Sequence, residues 1–171
     1  RSNYLLDGNE SFYEQSLKLW EGLEQDLNYN AMMSQRGIIN LYHSDAQRDA
    51  FIRRGNAMRL HGADAKLLNQ DQLRKMCPFL DFENARFPVM GRLLQQRAGT
   101  ARHDAVAWGY ARAADQRGVD IIQNCEVTDF IIKNGTCTGV KTSRGRIKAG
   151  KIGVAVAGST SRVMAKAGLR L

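Results

Sequence analysis

The stretch that most constrains the fold is residues 152–157, Ile-Gly-Val-Ala-Val-Ala, which carry no charge and no polar side chain. A strand that is apolar on both faces needs cover on both, as in the parallel sheets of α/β domains. Ala157-Gly158-Ser159 follow it, and residues 161–167 then read as a helix. Upstream, residues 119–122 read as a strand. Residues 126–132 and 136–142 read as two strands joined by Asn134-Gly135, a dipeptide that favours tight hairpin turns. Gly145 marks another turn before a short strand at 146–148. The second half is therefore expected to be α/β, with a β-meander inserted before the buried strand.

The first half follows a different rhythm. Phe12, Leu17, Leu19, Trp20, Leu23 and Leu27 recur at spacings of three and four, predicting an amphipathic helix over 11–27. Ser11 and Glu14 fit an S-x-x-E capping box at its start. A β-branched and aromatic run over 37–43 predicts a strand. Ser44 or Asp45 can cap a helix reaching about residue 60, closed by Gly62. Leu67-Leu68 read as extended, and Asn69 caps a short helix that Pro78 stops. Residues 79–99 are irregular apart from an extended patch at 88–95. Thr100 can cap a helix to about residue 117, ending at Gly118. There is no internal repeat and no low-complexity tract.

Composition narrows the class. Of 171 residues, 43% are hydrophobic and 25% charged, which is globular composition. No apolar run approaches the roughly 18 residues of a membrane helix, so no membrane association is expected. The three cysteines, Cys77, Cys125 and Cys137, form no C-x-x-C pair and no disulfide framework. They read as small hydrophobes in a reducing, cytoplasmic setting. The net charge is +8, yet residues 131–171 hold nine basic residues and no acid. Those charges alternate with apolar residues in strand-like segments, so a solvated or partner-covered face is the expectation rather than nucleic-acid binding. His43, His61 and His103 are too dispersed for a metal site. The opening Arg1-Ser2-Asn3-Tyr4 without Met, and the ending after Gly-Leu-Arg-Leu, suggest an internal fragment.

A strand, an N-G hairpin, a strand and then an apolar strand ending in Ala-Gly resembles the second half of FAD domains of glutathione-reductase-like fold. Arg1-Ser-Asn-Tyr4, Ser16-Leu-Lys-Leu-Trp-Glu21 and Gly99-Thr-Ala-Arg-His-Asp-Ala-Val-Ala-Trp108 narrow the resemblance. They are similar to the β-subunit family of heterotetrameric sarcosine oxidases, within the D-amino-acid-oxidase-like flavoenzymes. The resemblance covers the whole chain. It implies an α/β fold (α+β overall): part of an FAD-binding domain over 95–171, and substrate-domain and linking helices over 1–94. It also implies oxidation of the N-methyl C–N bond of sarcosine, with electrons passing from noncovalent FAD to covalent FMN to O₂, giving glycine and H₂O₂. The one-carbon unit leaves as formaldehyde or passes to tetrahydrofolate, and the partners are α, γ and δ subunits. One departure is large: the chain has no G-x-G-x-x-G and no following ribose-binding acid, so the N-terminal dinucleotide-binding βαβ is absent.

The site residues follow from matching those motifs. His103, in Arg102-His103-Asp104, is the expected attachment point of FMN. A helix N-terminus and Arg102 both disfavour imidazolium, and attachment needs a neutral ring nitrogen as nucleophile. Asp104 can orient the ring. Without the motif, an ordinary surface or capping histidine is the simpler explanation of His103. Arg1, in Arg-x-x-Tyr4, can pair with the substrate carboxylate through its guanidinium fork; a frayed terminal charge is the plainer alternative. Val127 can contribute a backbone contact to FAD, although a core valine would look the same. Ala157 and Gly158 fall where a strand end permits close approach of a dinucleotide. Another amine-oxidising flavoenzyme, of dimethylglycine or glycine oxidase type, and a noncatalytic protein-binding module remain as alternatives.

Overall fold

The computed structural model describes residues 1–170, residue 7 by its backbone alone. The chain divides into two compact units, Arg1–Val119 and Asp120–Leu171.

In the first unit, helix α1 (Asp7–Leu27) precedes strand β1 (Ile38–Tyr42), helix α2 (Asp45–Leu60) and strand β2 (Lys66–Asn69). Helix α3 (Gln70–Met76), strand β3 (Gly91–Gln95) and helix α4 (His103–Asp115) complete it. The sheet has the order β1-β3-β2 and is antiparallel throughout, with Ile38 opposite Gln95 and Lys66 opposite Leu94. β3 is the central strand, which is why all five of its residues are buried. Alternation along β3 sends Leu93 to one face, where it packs with Met58, Ala63, Ala65 and Phe51 under α2. Ile39 and Leu41 face the other side, against Leu73, Cys77 and Val89 under α3.

Local signals placed several boundaries. Ser44 caps α2, its side chain accepting from the Gln47 N–H. Asn69 and Gln72 form a reciprocal capping box on α3. Two expected caps were wrong. α1 begins four residues before Ser11, so Ser11 and Glu14 lie inside the helix, and Glu14 turns inward. α4 begins at His103 with Arg102 as its N-cap, because Thr100 is held instead in a β-bridge with Ser34.

The second unit is an antiparallel meander of β4 (Val127–Lys133), β5 (Thr136–Thr142) and β6 (Gly145–Lys148). Asn134 at φ 49° and Gly135 at φ 76° make the tight turn, both in the left-handed region that type I′ geometry requires. A 3₁₀ turn (Ala157–Ser159) and helix α5 (Thr160–Ala165) follow. Residues 152–156 are not a strand here, and Val154 and Val156 are 38% and 36% exposed. Residues 119–122 are likewise irregular, with Ile121 and Ile122 about half exposed. A strand is completed by neighbours that take up its N–H and C=O groups. Among the described residues every strand pairing is antiparallel, and none involves either segment. The α/β character thus appears as mixed helix and antiparallel sheet, a partial domain.

Candidate functional site

The loop from β3 to α4 is fixed by backbone pairing. Ser34 and Thr100 exchange N–H···O bonds at 2.8 and 3.0 Å, Gly37 N–H reaches Ala98 O at 2.8 Å, and Arg102 N–H reaches Ala31 O at 3.2 Å. Gly99 sits where the two segments touch: a Cβ there would lie 2.2 Å from the Ser34 carbonyl oxygen. This loop sets His103 as the first residue of α4. Arg102 does not act on the imidazole as an unmatched charge. Its guanidinium donates to both Asp104 oxygens at 2.9 and 3.0 Å, and the Asp104 carboxyl is held below its ordinary range chiefly by Arg102. Asp104 also accepts from the Ala105 N–H, so its carboxylate serves the helix start and Arg102 rather than orienting the His103 ring.

His103 is exposed, and among the described residues its ring has no hydrogen-bond partner. It lines a cleft of about 400 Å³ together with Arg1. Leu17, Trp20, Met33 and Val106 supply the apolar walls. That volume falls in the range of small-molecule sites, about 300–1,000 Å³. The Arg1 guanidinium carbon stands 6.0 Å from the Tyr4 ring centroid, and Tyr4 stacks on Tyr13 at 4.1 Å. A mainly apolar cleft with one imidazole and one guanidinium suits a planar, polarisable ring system and an anion. It fits attachment of a flavin at the His103 nitrogen.

The loop that leads to His103 is also held by a polar network that the sequence did not disclose. Arg97 forks onto Glu21 at 3.0 Å through both Nε and Nη2, and donates through Nη1 to the buried Glu14 at 2.6 Å. Gln35 bonds Glu21 at 2.8 Å and the Arg97 carbonyl at 2.6 Å. Arg97, then Gln35, holds the Glu21 carboxyl below its ordinary value of 4.5. A carboxyl depressed on folding contributes stability that is fully present above 4.5 and disappears as pH falls through the lowered value. Amide protection factors in the 96–102 loop of the full-length protein, taken relative to the intrinsic exchange rate at each pH, are expected to fall below about pH 4.5 in wild type. Glu21→Gln should flatten that acid limb.

The other expected flavin contacts fall in the second unit. Val127 opens β4 and is 40% exposed, so it is not a core valine. It lines a cleft of about 440 Å³ with Phe130, Val154, Val156 and Arg162. Ala157 and Gly158 form an exposed 3₁₀ turn rather than a strand end. A Cβ on Gly158 would meet nothing within 4 Å, so the structure shows no close approach that requires glycine there.

The remaining candidates have local explanations. A ring nitrogen of His43 bonds the Pro88 carbonyl at 2.9 Å, and His61 bonds Ser11 at 3.3 Å at the end of α2. All three cysteines are free thiols. Among the described residues no group of three His, Cys, Asp or Glu could hold a metal ion. None of the described helices is long and apolar enough to cross a membrane. The residues missed by sequence reasoning are Ser2, Glu14, Gln95 and Arg97. Only Glu14 carried a signal, a charge on an apolar helix face.

The chain matches the FAD dependent oxidoreductase family over residues 2–171. It is 69% identical over 171 residues to sarcosine oxidase subunit beta of Rhizobium meliloti (strain 1021), covering all of this chain and 41% of that protein. It is 48% identical over 172 residues to the sarcosine oxidase subunit beta of an Arthrobacter species, covering 42% of it. The chain thus spans about two fifths of the length of these curated relatives. Among solved structures, L-proline dehydrogenase from P. horikoshii shares the fold with a TM-score of 0.90 at 24% identity, over 99% of this chain and 44% of that one. Glycine oxidase from Geobacillus kaustophilus gives 0.79 at 22% identity, over 92% and 42%.

Proposed function

We propose, from the premise that this chain belongs to the FAD-dependent oxidoreductase family, that it forms part of an oxidase acting on the N-methyl C–N bond of sarcosine. The observation that carries the reading is the shared cleft of Arg1 and His103. When bound, FAD supplies the two-electron acceptor for the amine, and FMN supplies the route to O₂ that ends in H₂O₂. Glycine and a one-carbon unit are the other products, the latter as formaldehyde or on tetrahydrofolate. His103 is the covalent anchor of FMN, using an imidazole nitrogen as nucleophile. Arg1 pairs with the carboxylate of sarcosine, its fork matching two oxygens. Val127, with Ala157 and Gly158, borders FAD.

In this reading residues 1–94 belong mainly to the substrate side and 95–171 to the flavin-binding side. The sequence has no G-x-G-x-x-G, so this reading assigns no pyrophosphate loop to the residues of this chain. The name "subunit beta" of the relatives supports assembly with other subunits, here α, γ and δ. The setting is the cytoplasm.

The test is to express the full-length polypeptide with its partner subunits, denature the product in acid and map any retained flavin by peptide. Flavin on the His103 peptide together with sarcosine turnover supports the proposal. Preferred turnover of dimethylglycine or glycine replaces the substrate. A folded complex with no retained flavin removes the covalent assignment, and one with no amine turnover at all points to a binding module.

A further inference from the structure

Arg1 is exposed and lies on a segment without secondary structure. A guanidinium on a loose segment binds an anion weakly, because each binding event must order it. The three residues that follow are not loose. Ser2 is fully buried; its N–H reaches Gln95 Oε1 at 3.1 Å, and its hydroxyl accepts from Gln95 Nε2 at 2.6 Å. The same hydroxyl donates to Glu14 Oε2 at 2.7 Å. Asn3 donates to Asn40 on β1 at 2.6 Å, and the Tyr4 N–H reaches the buried Glu10 at 3.0 Å.

Glu14 is the hinge of this arrangement. One of its oxygens holds Ser2, and the other takes Arg97 Nη1 at 2.6 Å. Arg97 belongs to the loop that ends at His103, and its own N–H is tied to Asp64 at 2.8 Å. Glu14 therefore touches both segments that bring a functional side chain to the cleft, one carrying Arg1 and the other leading to His103. It is only 3% exposed. A buried carboxylate needs its partners in place, so the network favours one arrangement rather than a range of them.

We propose that Glu14 and Arg97 are positioning residues that set Arg1 and His103 at a fixed separation across the cleft, so that an anion held by Arg1 keeps one distance from the group carried by His103. What Arg1 binds rests on the function proposed above; the link through Glu14 rests on the hydrogen bonds alone.

The test is a double-mutant cycle in the full-length, assembled protein. Acetate, an unreactive carboxylate, is titrated against the visible spectrum of the bound flavin. Arg1→Ala is expected to weaken acetate binding by about 10- to 100-fold, the loss of a charged hydrogen-bonded pair. Glu14→Ala should weaken it by about tenfold, with KM for the amine rising more than kcat falls. In the Arg1→Ala background, Glu14→Ala should cause no further loss. Glu14→Gln keeps an acceptor for Ser2 but faces Arg97 with a donor, so it should recover the affinity only in part. If Glu14→Ala does not assemble, Ser2→Ala enters the same cycle. Multiplying effects, or unchanged acetate affinity in the Glu14 or Ser2 variant, overturn the positioning role. Unchanged affinity in Arg1→Ala overturns the anion-binding reading of Arg1 and the positioning role with it, and leaves the His103 assignment to its own test.

Discussion

Replacing His103 with alanine is expected to abolish flavin that stays with the polypeptide after acid denaturation, from one attached flavin per chain to none. The ring is exposed, lines an apolar cleft and, among the described residues, spends neither nitrogen on an internal hydrogen bond. The side chain at an exposed first helical position contributes little to folding, so stability should change by no more than about 0.5 kcal/mol. That separates chemistry from unfolding. His43→Ala and His61→Ala are the controls and should keep the flavin, because both rings already have local partners in Pro88 and Ser11. Denatured spectra and peptide maps of the three variants decide it: retention in His103→Ala would falsify the assignment.

Gly99→Val should cause the largest structural loss. A Cβ at this position would sit 2.2 Å from Ser34 O and 2.8 Å from Gln35 Cα, both backbone atoms that cannot rotate aside. The segments must separate, and the two Ser34–Thr100 hydrogen bonds at 2.8 and 3.0 Å break. Two lost hydrogen bonds at about 1 kcal/mol each, with overpacking of about 1–3 kcal/mol, give a destabilisation on the order of 3–5 kcal/mol. Denaturant unfolding of the full-length protein measures it. The same variant should show poor flavin attachment, since the displaced loop carries His103 at its end. Gly8→Ala is the contrast. It lies in α1 with nothing within 4 Å of an added Cβ, and should be neutral or stabilising by up to about 1 kcal/mol.

The two variants test different distances in the sequence. The case for His103 was legible in a ten-residue motif. The importance of Gly99 was not, because the atom that excludes a side chain there belongs to Ser34, 65 residues earlier in the chain. Arg92 makes the same point. It sits in the central strand at 2% exposure, its guanidinium touching the sulfurs of Met76 and Cys77, and among the described residues no carboxylate pairs with it. Burial depresses its basicity. Nothing within a few residues of Arg92 marks it as internal. The pairing of β3 between β1 and β2 decides that.

Sequence by itself determined what depends on neighbours a few residues apart. Ser44 and Asn69 cap their helices, and Asn134-Gly135 turns its hairpin, because each interaction closes within three or four residues. The tertiary structure decided the rest. Glu14 left its expected cap for a buried bridge because Ser2 and Arg97 meet it there. Thr100 gave up its cap because Ser34 pairs with its backbone. Residues 152–156 are apolar enough for a covered strand, yet strand formation is a property of two segments, and no second segment pairs with them among the described residues. Arg1 and His103, 102 positions apart, share one cleft because hydrogen bonds between distant segments hold both, and no local pattern of residues specifies such a meeting.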